Sequence, residues 1–121
     1  MPLPTPATLF ARTLFVGYFI AMGASHAINF NDHALLLKLK GVPASRLTTL
    51  LTVAMMLTGG ILVLLDWHRQ VGAGLLFIIM FLAAFVLHRF WEQTDAYTRL
   101  SEFGHMMKDL SLAGAALLLL S

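Results

Sequence analysis

No cysteine occurs anywhere in the chain. Its absence excludes disulfides, thiolate chemistry, Cys-ligated zinc and iron–sulfur clusters, so any redox role must use a bound cofactor or another subunit. Charge is also scarce. Asp, Glu, Lys and Arg make up 12% of 121 residues, about half the usual quarter and too few to coat a globule of this size in water. Eight Lys and Arg against six Asp and Glu leave a formal net charge of +2, with no basic footprint of the kind that binds nucleic acid. Apolar residues fill the gap: 59% of the chain before its nine glycines are counted, where soluble domains reach about 45–50% with glycine included. Part of the solvent is therefore lipid.

Four stretches carry no charged side chain: Thr13–Asn31, Leu47–Leu65 and Gln70–His88, each 19 residues long, and Leu110–Ser121, with 12. A helix rises about 1.5 Å per residue and the hydrocarbon core is about 30 Å thick, so the first three each predict a near-complete transmembrane helix. The fourth must begin earlier, near Leu100 to Phe103, for the Ser121 carboxylate to reach an interface. The expected spans are thus about 9–30, 47–65, 70–91 and 101–121, forming one membrane domain over 1–121. An uncleaved first helix is expected, because Met1–Ala11 lacks the basic start of a signal peptide and carries Pro2, Pro4 and Pro6.

The connections differ in kind. Asp66-Trp67-His68-Arg69 is short enough to predict a tight antiparallel hairpin. Between the first two spans, Asn31-Asp32-His33 offers N-cap chemistry, Ala34–Lys40 mixes leucines with Lys38 and Lys40, and Gly41-Val42-Pro43 stops the segment. This pattern predicts a short helix lying in the interface. The third connection, Arg89 to Arg99, mixes both signs of charge with Trp91 and Tyr97, as an interfacial belt does. Arg12 and Arg69 lie on one side of the membrane, and Lys38, Lys40, Arg46, Arg89, Arg99 and Lys108 on the other. The positive-inside rule then puts the two longer connections in the cytoplasm and both termini in the periplasm.

Small residues recur in every span. Gly17, Ala21 and Ser25 share one face of the first helix, where another backbone is expected to come close. Gly59-Gly60, Gly72 with Gly74, and Ser111, Gly114 and Ala115 extend the pattern to a compact four-helix bundle.

Three of five histidines, His26, His88 and His105, fall toward one membrane face by these boundaries. Asp109 lies twelve residues before Ser121, about 18 Å from the far interface and so about 12 Å below the near one. Lys108 is equally deep but can snorkel. Asp109 is too short to do so and is expected to face the bundle interior and find a partner among His105, His88, His26 and Lys108. His26, His88, Trp91, His105, Lys108 and Asp109 are the candidate cofactor-binding residues. Two histidines on different helices suit a haem iron, and His with a carboxylate suits a quinone carbonyl or a small metal. No metal-ligand spacing as specific as His-Glu-x-x-His is present, and the adjacent pairs Met55-Met56 and Met106-Met107 suit packing better than copper ligation. The competing reading is structural: His, Trp and Arg anchor the bundle to headgroups and one buried polar pair fixes helix register.

From about Leu9 to Leu120 the chain resembles the DoxX family of small four-helix membrane proteins. The blocks that carry the resemblance are Leu9-Phe10-Ala11-Arg12 with Gly23, Gly41-Val42-Pro43, Gly59-Gly60, His88-Arg89-Phe90-Trp91 and Lys108-Asp109-Leu110-Ser111-Leu112-Ala113-Gly114. Three positions depart from the family's habit: Met56 stands where Glu is common before the paired glycines, His26 where Lys is common, and Asp109 where Asn is common. One acid lost and one gained imply a rearranged polar network. The resemblance implies an all-α, multi-pass protein of the bacterial inner membrane, an accessory or quinone-interacting subunit associated with redox or respiratory assemblies. Its expected partners are the lipid bilayer and either other membrane redox subunits or further copies of itself. A scaffold without a small-molecule site and a haem- or metal-binding oxidoreductase are the alternatives.

Overall fold

The computed structural model describes residues 5–121, all helix, turn and loop; the placement of Met1 and the roles of Pro2 and Pro4 lie outside the described residues. Helix α1, Pro6–Ile28, starts where Thr5 Oγ1 accepts from the Thr8 amide at 3.1 Å and Pro6 supplies a preformed first turn. A single non-helical residue, Asn29, separates it from α2, Phe30–Leu39. The cap therefore falls two residues before the expected Asn31-Asp32-His33. Asn29 does not cap by side chain, because its amide turns back and donates to the Ser25 carbonyl at 3.0 Å. Gly41, at φ 82°, ends the segment as expected, while the Val42 amide returns to the Leu37 carbonyl at 3.0 Å.

Helices α3, Ser45–Leu64, and α4, Arg69–Val86, form the expected hairpin. Its short link places Asp66 and His68 at positive φ, 53° and 50°. Two boundaries differ from the sequence expectation by five residues, the others by one to three. Helix α4 stops at Val86 instead of continuing to Trp91: the Arg89 side chain takes the Phe85 carbonyl at 3.3 Å and the chain turns through a short 3₁₀ segment, Phe90–Glu92. Helix α5, Ala96–Leu118, begins five residues early because Asp95 Oδ2 accepts from both the amide and the hydroxyl of Thr98 at 2.9 Å. Pro6–Ile28, Ser45–Leu64 and Arg69–Glu92 are long and apolar enough to cross a membrane. Arg99, Glu102, Lys108 and Asp109 dilute the hydropathy of α5.

The helices pack in series, α1 on α3, α3 on α4 and α4 on α5, with α2 lying against α3. The backbones of α3 and α4 come close where they cross. A Cβ added at Gly72 would sit 2.8 Å from the Gly59 carbonyl oxygen, and one at Gly59 would sit 3.0 Å from that of Gly72. Around this crossing Val16, Phe19, Met56, Val63, Ala73 and Leu76 form the core.

The expected contact face of α1 is overturned. Gly17 and Ala21 are exposed, with open space around Gly17, and the buried face carries Val16, Phe19 and Gly23 instead. In α5, Ser111 and Gly114 also point outward, while Met106, Asp109, Ala113 and Ala116 face in. Spacing identifies residues that share a helix face, but in a lipid solvent an apolar face can turn either way.

At the end of the bundle opposite α2, Arg69 donates to the carbonyls of Leu119 and Ser121 at 3.0 and 2.9 Å, and Gln70 donates to that of Leu120 at 3.0 Å. A cation placed there satisfies the free carbonyls and complements the negative end of the α5 dipole.

Candidate functional site

The end of the bundle under α2 is assembled from five places in the chain. His26 comes from the last turn of α1 and His33 from the first turn of α2. Because one residue separates these helices, the two rings meet face to face, 4.0 Å between centroids and 25° between planes. Helix α2 is held down at both ends. Arg46 donates to Asn31 Oδ1 at 2.9 Å while lying over the Phe30 ring, and Arg89 reaches the Lys40 carbonyl at 3.4 Å.

His88 follows α4 and enters the bundle sideways. Its Nδ1 is 3.1 Å from Glu102 Oε2 and its Nε2 is 3.3 Å from Asp109 Oδ2. The two carboxylates are seven residues apart on α5, so they lie two turns apart on one face with a single imidazole between them. His105 is not the partner of Asp109. It stacks on His88 at 5.2 Å, and the groups beside Asp109 are His88 and Lys108, whose Nζ is 3.4 Å from Oδ1. Lys108 also lies over the Tyr18 ring at 5.2 Å, which brings α5 to α1.

These side chains border a cavity of about 430 Å³, within the range of small-molecule sites, about 300–1,000 Å³. Its titratable wall is His26, His33, His88, His105, Lys108 and Asp109, and Tyr18, Thr48 and Thr52 add hydroxyls. The remaining wall is almost wholly apolar, from residues such as Met22, Leu37, Met56, Met80 and Val86. Five of the six candidate residues thus meet at one cavity. Trp91 does not: it is half exposed and packs edge-on against Phe90, at 5.3 Å, outside the lining.

His33 and Tyr18 are lining residues that the sequence reading missed. The seven-residue interval from His26 to His33 was a usable signal, since such residues share a face if the helix is nearly continuous; reading Asn31–His33 as a cap hid it. Burial holds the His33 imidazole below its ordinary 6.5, favouring the neutral ring. At the start of α5, the Thr98 hydrogen bonds draw the Asp95 carboxyl below its usual value.

Asp109 is 2% exposed and its Oδ1 accepts no hydrogen bond among the described residues. Lys108 pairs with that oxygen by charge, without hydrogen-bond geometry. Among the described residues no group of three or more His, Asp and Glu side chains is arranged to hold a metal ion. The arrangement can orient an amphipathic molecule, polar end toward Asp109 and apolar body among the methionines and aliphatic side chains.

The family model of DoxX matches residues 7–89. The match runs from α1 to the residue after His88 and stops before α5, so the block from Lys108 to Gly114 lies beyond it. No curated protein and no solved structure matches the chain.

Proposed function

The chain belongs to the DoxX family and has, among the described residues, three helices fit to cross a membrane, and on that premise we propose that it is an accessory, quinone-interacting subunit of a redox or respiratory assembly in the bacterial inner membrane. The observation that carries this reading is the cavity: one wall of imidazole, ammonium and carboxylate, the rest mostly apolar, at one end of the bundle. A quinone has the same division, a hydrogen-bonding ring on a lipophilic body. Helix α5 makes the fourth crossing in this reading, since its 23 residues rise about 34 Å. Its Lys108 and Asp109 are then paired inside the membrane, as ionisable groups there must be. Helix α2 lies in the cytoplasmic interface and the bundle end near Arg69 faces the periplasm.

Lipid extraction of the gently purified protein, with an absorption spectrum of the intact sample, tests it. Co-purifying quinone at a fixed ratio to protein is the expected result, and its absence sinks the reading. A haem band would favour the oxidoreductase alternative, although the stacked histidine rings present faces to one another instead of two nitrogens to one iron. The scaffold alternative also has an observation behind it, because Glu102, His88 and Asp109 already pair with one another.

A further inference from the structure

The oxygen of Asp109 that faces Lys108 says what the head of a ligand must offer. Asp109 lines the cavity, is 2% exposed, and has one oxygen at His88 Nε2 and the other, Oδ1, without a hydrogen bond among the described residues. The ammonium of Lys108 meets this oxygen by charge alone, so a molecule that donates a hydrogen bond completes the satisfaction of a buried acceptor. Beside it stands Lys108 Nζ, 3.4 Å from Oδ1, half exposed and lining the same cavity. An ammonium has donors and no acceptor, and a carboxylate has acceptors and no donor.

A hydroxyl is the smallest single group that serves both, giving its proton to Oδ1 and accepting from Nζ. A carbonyl or ether oxygen accepts from Lys108 and leaves Oδ1 as it was. An anionic head group would meet Asp109 as a like charge. The Tyr18, His88 and His105 rings also line the cavity and give its wall an aromatic part.

We propose that the cavity takes an apolar molecule bearing a hydroxyl, of the phenol class, held with its O–H on Asp109 Oδ1 and its oxygen facing Lys108 Nζ. The proposal rests on the reading of the cavity as a small-molecule site and adds the hydrogen-bonding form of the head group that it selects.

The test uses a radiolabelled alkylphenol and its methyl ether, which differ in the one donor, bound to the full chain in lipid nanodiscs with empty nanodiscs as the blank. The phenol is expected to bind at least about tenfold more tightly, the worth of one hydrogen bond to a charged group. Asp109→Asn should bring the two probes together, since an amide can turn either its oxygen or its nitrogen to the ligand. Lys108→Met should weaken both probes alike and keep their ratio. Equal binding of phenol and ether to the wild-type protein overturns the proposal and leaves the cavity reading standing. Binding of neither above the blank overturns both. The comparison within the wild-type protein decides the matter even if a variant fails to fold.

Discussion

His88 Nε2 stands 3.3 Å from Asp109 Oδ2, joining the chain just past the end of α4 to the middle of α5. With Glu102 on the other ring nitrogen, at 3.1 Å, His88 has a carboxylate at each end, and this arrangement turns its side chain inward where α4 breaks.

Asp109 should therefore tolerate loss of charge better than loss of polarity. Asp109→Asn keeps an acceptor toward His88 and is expected to fold, whereas Asp109→Leu leaves His88 Nε2 without its partner, with only Glu102 still on the ring, and should cost about 1–3 kcal/mol. Thermal unfolding of the two variants in one detergent measures the difference. Under the quinone reading Asp109→Asn also alters the amount of quinone that co-purifies; as a purely structural network it retains wild-type behaviour.

Glycine substitutions should separate the face that packs from the face that only looks as if it should. At Gly72 a new Cβ would lie 2.8 Å from both the Gly59 carbonyl oxygen and Leu62 Cβ, so Gly72→Ala must force α3 and α4 apart at a cost of about 1–3 kcal/mol. Among the described residues nothing lies within 4 Å of a Cβ at Gly17, and Gly17→Leu should leave the unfolding temperature near wild type. A large loss at Gly17 would mean that this face meets another protein surface.

Acid should weaken the cavity end of the bundle through His33. Its folded pKa is lowered by burial beneath the ordinary 6.5, so protonation favours the unfolded chain. Stability is then fully present above pH 6.5 and declines as pH falls from there toward the folded value. His33→Phe keeps a ring against His26 without the titrating group and should flatten part of this decline. Unfolding temperatures recorded from about pH 8 to 5 give the two slopes, and parallel slopes would exclude His33 as their source.

Labelling of single cysteines decides whether α5 crosses the membrane. Thr94→Cys, in the link before α5, is expected to react from the cytoplasmic side, and Ser121→Cys from the periplasmic side. Reaction of both from the same side would mean that α5 does not span, and a reversed pair would invert the orientation drawn from the Lys and Arg distribution.

Composition and charge spacing were enough to read a helical membrane protein from the sequence, because lipid leaves a spanning segment few choices: backbone polar groups must bond within it and charges must stay rare. The α3–α4 hairpin and the Gly41 stop were legible for the same local reasons, link length and turn chemistry. The cluster of His26, His88, His105, Lys108 and Asp109 could be assembled from depth along the helices alone. Rotation about the helix axes could not. An apolar stripe of Gly17 and Ala21 serves equally well against lipid or against a neighbour, so only the packed bundle decided that Val16, Phe19 and Gly23 face inward. The same holds for the site, where the pairing of Asp109 with His88 and Lys108 instead of His105, and the arrival of His33 against His26, depend on where α4 ends and how α1 passes into α2. Those are contacts between distant segments, and their energies are set by tertiary packing, which no local spacing encodes.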